Sequence, residues 1–205
     1  MIENSNQASL SKEQVDLVIS FVNSGEIDKA IDAVHFLNKN YPNIPLLYNI
    51  LGVCHKSKGQ LEIAVKMFQT ALTIKKDYSE AYKNLGITQK DIGQLDNAVK
   101  SLKKAIDLSP EYIDAHYNLA VTFTSLGQLN EALTSYQKVV EINPNFVEAH
   151  NNLANTHRDL GNLEDALDNY QKAVKLNPNF AEVHNNIANT FKDLDQLNDA
   201  LESYN

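Results

Sequence analysis

The stretch Ala149-His150-Asn151-Asn152-Leu153-Ala154-Asn155-Thr156 returns as Val183-His184-Asn185-Asn186-Ile187-Ala188-Asn189-Thr190, and Tyr136-Gln137-Lys138 returns as Tyr170-Gln171-Lys172. Both shifts are 34 residues. A fixed period of this length signals a repeat architecture, in which each unit cannot bury its apolar face alone and stacks on its neighbours. Laid out at that period, the chain divides into blocks 11–44, 45–78, 79–112, 113–146 and 147–180, with 181–205 as an incomplete sixth, and no insertion or deletion is needed. A short leader, residues 1–10, precedes them, and the rest reads as a single array.

The glycines test the frame. Gly25, Gly59, Gly93, Gly127 and Gly161 all fall at position 15 of their blocks, and Gly52 and Gly86 fall at position 8. Ala30, Ala64, Ala98, Ala132, Ala166 and Ala200 fill position 20, and Pro42, Pro110, Pro144 and Pro178 fill position 32. Glycine at position 15 supplies the left-handed conformation that ends one helix and turns the chain into the next. Proline lacks the amide proton that a continuing helix needs, which predicts closure of the second helix at position 32. Asp77 with Glu80, Asn145 with Glu148 and Asn179 with Glu182 have the spacing of capping boxes. Each block therefore reads as two helices of about 14 residues joined by a tight turn. Small residues at positions 8 and 20 let the pair approach closely, and larger ones at 4, 7, 11, 17 and 24 fill the space between.

A 34-residue helix-turn-helix with small residues at 8 and 20, an aromatic at 24 and proline at 32 resembles the tetratricopeptide repeat, over residues 11–205. The fold class expected is all-α, a right-handed superhelical solenoid of antiparallel helix hairpins. Departures from the pattern are Gln14, Val18 and Val34 in block one, Lys76 in place of proline in block two and Asp195 in place of glycine in block six. Those of block one suit a terminal repeat with one neighbour.

At about 100° per residue, positions 3, 4, 7, 8, 11 and 14 of the first helix form an apolar side, and 2, 5, 6, 9, 12 and 13 the opposite one. The resemblance implies that this second side lines a concave wall. Position 6 carries Asn84, Asn118, Asn152 and Asn186 in successive blocks, and Asn151, Asn185, Asn155 and Asn189 join at positions 5 and 9. A carboxamide offers both a donor and an acceptor, matching the pair on every peptide link, so a column of them suits an extended chain. The row is similar to the asparagine ladder of O-linked N-acetylglucosamine transferases, which holds the backbone of protein substrates. The plainer reading is that these asparagines meet solvent or bond a neighbouring helix. Position 12 adds Lys56, Lys90, Arg158 and Lys192, and position 2 adds Glu80, Asp114, Glu148 and Glu182. Lines of opposite sign orient a polar peptide or are simply solvated. With acid at position 2 and only Lys83 basic at position 5, the pattern departs from repeat domains that clamp acidic chaperone tails.

The remaining chemistry is bounded by exclusion. A net charge of −8, from 26 acidic and 18 basic residues, repels phosphate backbones and anionic lipid surfaces, so nucleic acid and membrane are not expected partners. His116, His150 and His184 share position 4, and His55 and His157 share position 11. Equivalent positions in adjacent repeats lie about 8–10 Å apart, too far to share zinc at about 2.1 Å per ligand, so no metal and no other cofactor is expected. Cys54 reads as a buried thiol, since His55 beside it points about 100° away around the helix. Every glycine belongs to a turn or a helix contact, leaving no phosphate loop. Glu164 and Asp165 read as solvated surface. No catalytic constellation results. With one cysteine and no apolar run of the ~18 residues a span needs, cytoplasmic residence is expected.

Block six stops at Asn205, position 25 of its block, which leaves Leu194, Leu197, Leu201 and Tyr204 without a following repeat. Two readings follow: a homo-oligomer that stacks through this uncapped carboxyl-terminal end, or the front part of a longer chain. Arrays of this kind resemble the front of bacterial glycosyltransferases of the O-linked type, sulfotransferases or methyltransferases. The function expected is a scaffold that binds an extended peptide or protein segment in an asparagine-lined groove. The alternative is the substrate-recognition part of a larger protein-modifying transferase.

Overall fold

A computed structural model describes residues 10–194 of the 205. Among them are eleven helices: α1 Lys12–Asn23, α2 Ile27–Asn40, α3 Pro45–Ser57, α4 Leu61–Ile74, α5 Ser79–Asp91, α6 Leu95–Leu108, α7 Ile113–Ser125, α8 Leu129–Ile142, α9 Val147–Asp159, α10 Leu163–Leu176 and α11 Ala181–Asp193. The fold is an all-α repeat of helical hairpins. Five of the first helices run from position 1 to 13, and every second helix from 17 to 30. The chain divides into two compact units, Met1–Leu108 and Ser109–Asn205, with the boundary at the end of α6, within the third block.

The turns obey the sequence. Gly25, Gly59, Gly93, Gly127 and Gly161 have φ between 70° and 79°. At each, the following residue's amide reaches back five residues, as from Gln60 to the carbonyl of His55 at 2.9 Å and from Asn162 to that of His157 at 2.9 Å. This closure satisfies the orphan carbonyls of the first helix and fixes the hairpin.

Two expectations about helix ends need correction. The proposed capping boxes do not form. The N-caps of α5, α9 and α11 are Tyr78, Phe146 and Phe180, without side-chain cap bonds. Those helices begin one residue later than the boxes require, so Glu80 falls at the second helical position rather than the third. Asn143 and Asn177 shape the link instead, their Oδ1 atoms accepting from the amides of Asn145 and Asn179 at 3.1 and 3.3 Å. The capping box that does form is Ser11 with Gln14, at the start of α1. Proline at 32 is also not what ends the second helix, because α4 stops at Ile74, position 30, although Lys76 stands at 32.

The core follows the small residues. Ala30, Ala64, Ala98, Ala132 and Ala166 are fully buried. A Cβ on Gly52 would stand 2.4 Å from the Phe68 ring, so the ring sits where a side chain would otherwise be. Leu51 is buried against Val18, Ala30 and Val34 of block one, whereas Leu17, its counterpart in block one, is 54% exposed. In the second unit Tyr170, Ala166, Ala173, Val183 and Ile187 close a cluster spanning blocks five and six. Of the ragged end, Leu194 is partly buried, while Asp195, Leu197, Ala200, Leu201 and Tyr204 lie outside the described residues, as do residues 1–9 of the leader.

Candidate peptide-binding groove

The position-6 asparagines sit on first helices whose backbone is pinned beneath them. Thr88, Thr122, Thr156 and Thr190, four residues on, donate through Oγ1 to the carbonyls of Asn84, Asn118, Asn152 and Asn186 at 2.7–2.8 Å. From this fixed base three of the four reach back to position 5 of the preceding block. Asn84 Nδ2 donates to Asn49 Oδ1 at 3.1 Å, Asn152 Nδ2 to the Tyr117 hydroxyl at 2.9 Å, and Asn186 Nδ2 to Asn151 Oδ1 at 3.3 Å. Asn118 Nδ2 instead donates to the Asp114 carbonyl of its own helix at 2.8 Å. The position-5 residue of block three is Lys83, whose ammonium only donates. The row therefore staples block to block, which is the plainer of the two sequence readings for its N–H groups. Its acceptors are less committed: Oδ1 of Asn84, Asn118 and Asn152 takes no bond from the described residues.

The asparagines at 5 and 9 divide. Asn151 is buried, with Nδ2 donating to Glu182 Oε1 at 3.2 Å and Oδ1 accepting from Asn186, so it belongs to the staple rather than to the open wall. Asn155 Oδ1 accepts from the Tyr170 hydroxyl at 2.5 Å and from Asn186 Nδ2 at 3.2 Å. Two donors on one oxygen fix which way the amide faces, and its own N–H pair is left unbonded among the described residues. Asn185 and Asn189 are exposed on α11.

Asn152 and Asn155 meet at a cavity of about 240 Å³ in the second unit, with Thr124, Ser125, Tyr136 and Asp159 around it. Burial pushes the Tyr136 phenol up to about 12, against hydrogen bonds from Thr124 and Asn152 that favour its ionised form. Burial likewise pushes Tyr170 up to about 12. Both are neutral hydroxyls at physiological pH.

The cationic line at position 12 is accompanied by acid at position 13. Lys56 and Lys90 lie 3.0 and 3.3 Å from Asp91, and Arg158 lies 3.7 Å from Asp159. Lys192 is exposed on α11, next to Asp193. Such partly exposed pairs are worth about 0–1 kcal/mol each and largely cancel the line's field. The shared position of Asp91, Asp159 and Asp193 was visible in the sequence and missed there.

A larger cavity of about 690 Å³ lies in the second unit on another side, lined by Val140, Pro144, His150, Lys172, Lys175 and Leu176. Asn145 of the link lines it too, but none of the asparagines at positions 5, 6 and 9 does. Reading function only from the first helices passed over it.

A TPR repeat model matches residues 90–125, 122–160 and 154–195, and a tetratricopeptide repeat model matches 46–78. The chain is a tetratricopeptide-repeat (TPR) protein. PilF of Pseudomonas aeruginosa is similar in structure at a TM-score of 0.82 and 15% identity, covering 93% of this chain and 87% of that one. YrrB, described as a TPR protein with an unusual peptide-binding site, aligns at a TM-score of 0.75 and 23% identity, covering 84% and 89%. MamA from Desulfovibrio magneticus RS-1 aligns at 0.74 and 23%, covering 78% and 90%. No curated protein matches.

In this TPR chain the histidines at position 4 are latches. His116, His150 and His184 place Nε2 at 2.8, 2.9 and 2.9 Å from the carbonyls of Pro110, Pro144 and Pro178. A carbonyl only accepts, so Nε2 carries the proton and each ring ties a first helix to the link before it. Among the described residues no group of three or more His, Cys, Asp and Glu is arranged to hold a metal ion. Cys54 is fully buried, and burial pushes its thiol up, away from the thiolate a nucleophile needs. No described helix is long and apolar enough to cross a membrane. The TPR fold is typically that of a non-catalytic scaffold.

Proposed function

We propose that this TPR chain is a protein-interaction scaffold whose second unit binds an extended peptide segment through Asn118, Asn152 and Asn155. One observation carries the reading: at a single cavity, Asn152 keeps an unbonded acceptor and Asn155 an unbonded donor pair, each held in orientation by bonds made at its other end. A peptide link presents the complementary pair, and donors already locked in place lose little freedom on binding. In the first unit Asn84 adds a further open acceptor. The peptide-binding site of YrrB shows that this fold can carry one, and is consistent with the proposal.

At about 1 kcal/mol net per hydrogen bond, a few carboxamides give weak, sequence-tolerant binding unless side-chain pockets add to it. The test is selection of linear peptides from a random displayed library against the whole chain, followed by fluorescence anisotropy on the best binder. Asn118→Ala with Asn152→Ala weakens that peptide at least about tenfold, a loss of about 1.4 kcal/mol, with a small shift in melting. Equal affinity for the double variant and the parent removes the carboxamides from the account.

A further inference from the structure

Building on the peptide reading of the groove, we infer that the cavity at Asn152 and Asn155 receives a cationic side chain of the bound segment, arginine or lysine. At about 240 Å³ it lies below the roughly 300–1,000 Å³ of small-molecule pockets, a size that suits one long side chain.

The polar atoms on its wall are mostly acceptors. Ser125 spends its only hydroxyl hydrogen on the Val121 carbonyl at 3.0 Å, so its lone pairs are what a ligand meets. Asn152 spends Nδ2 on Tyr117 and keeps Oδ1. Asp159 brings the one formal charge of this lining; Arg158 stands off at 3.7 Å from Oδ1, and among the described residues Oδ2 is unpaired. Against these stand the neutral Tyr136 hydroxyl and the N–H pair of Asn155, the latter placed to take a carbonyl of the ligand backbone. Arginine and lysine are the charged side chains with donors only, and a carboxylate would face Asp159. A neutral amide fits the hydrogen bonds but forgoes the charge-assisted one, which is about twice as strong.

The test uses four capped amino acids as probes: N-acetyl-argininamide, N-acetyl-lysinamide, N-acetyl-glutaminamide and N-acetyl-glutamic acid amide. Each is titrated into the isotopically labelled full chain while the side-chain NH2 resonances of Asn152 and Asn155 are followed. The arginine and lysine probes shift both resonances at lower concentration than the glutamine probe, and the glutamate probe shifts neither. Asp159→Asn weakens the cationic probes at least about fivefold and leaves the glutamine probe unchanged. Arg158→Ala strengthens them about two- to threefold by removing the competing cation, an effect that a merely structural Asp159 would not produce. Asp159 is about half exposed, so its variant keeps the fold, which circular dichroism checks. Equal response to all four probes, or indifference to Asp159→Asn, overturns the cationic assignment. That failure is distinct from failure of the peptide reading, which shows as library peptides insensitive to Asn118→Ala with Asn152→Ala.

Discussion

The two units share one frame and one set of helix bounds yet fill the space between paired helices differently. In the first, positions 8 and 24 pair Val18 with Val34, Gly52 with Phe68 and Gly86 with Leu102. In the second they pair Ala120 with Tyr136 and Ala154 with Tyr170. Position 9 stays apolar through block four, at Ile19, Val53, Ile87 and Val121, and becomes Asn155 and Asn189 in blocks five and six. A buried tyrosine needs a partner for its hydroxyl, and Tyr170 finds one in Asn155. In block five the polar wall and the core thus form one network, whereas the blocks of the first unit keep apolar residues at both position 9 and position 24. The lesson is that a repeat can tie its groove to its core by pairing tyrosine at position 24 with asparagine at position 9, as block five does.

The comparison can be broken at three points. The largest effect is expected at Gly52. An alanine is native at position 8 in the second unit, but at Gly52 its Cβ would stand 2.4–2.7 Å from three atoms of the Phe68 ring. Overpacking of this kind costs about 1–3 kcal/mol, so Gly52→Ala lowers stability by that amount in urea melts. A neutral result would show that the ring does not depend on the glycine.

Exchanging the aromatics comes next. Phe68→Tyr puts a hydroxyl into a block whose position 9 is Val53, and an unpaired buried hydroxyl costs about 1–3 kcal/mol. Tyr170→Phe removes one hydrogen bond, and Asn155 still accepts from Asn186, so about 1 kcal/mol is lost. Equal and negligible changes in both variants would uncouple core from groove.

The effect that is nil at neutral pH, and so the smallest there, appears in alkaline solution. Tyr136 and Tyr170 are raised to about 12 in the folded chain against 10 for an ordinary tyrosine. The unfolded chain therefore releases its protons first. Their contribution is complete below pH 10 and is lost as pH rises from 10 towards 12. Tyrosinate absorbance followed with helical circular dichroism reads this, and Tyr136→Phe with Tyr170→Phe flattens the decline. A decline of the same steepness in the double variant would assign it to other groups.

The frame was legible because the constraints behind it act one residue at a time: glycine at 15 for a left-handed φ and alanine at 20 for close approach. The asparagine row was legible as a row. What it bonds was not, because the partner at position 5 lies a whole block away, and only the type of that residue decides whether the amide reaches back, as at Asn152, or turns to its own helix, as at Asn118. The capping boxes failed for a related reason. Spacing alone does not say which residue begins the helix, and a shift of one moved Glu80 out of register. Asp91 and Asp159 beside the cations of position 12 were present in the pattern and read only once the distances were known.

The central claim is that an extended segment lies along the carboxamides of the second unit. A crystal structure of the chain with its best library-selected peptide tests it most directly. The account predicts peptide backbone atoms within about 3 Å of Asn152 Oδ1 and Asn155 Nδ2. A peptide seated instead in the larger cavity of Val140, Pro144 and Leu176, with those carboxamides untouched, would contradict it.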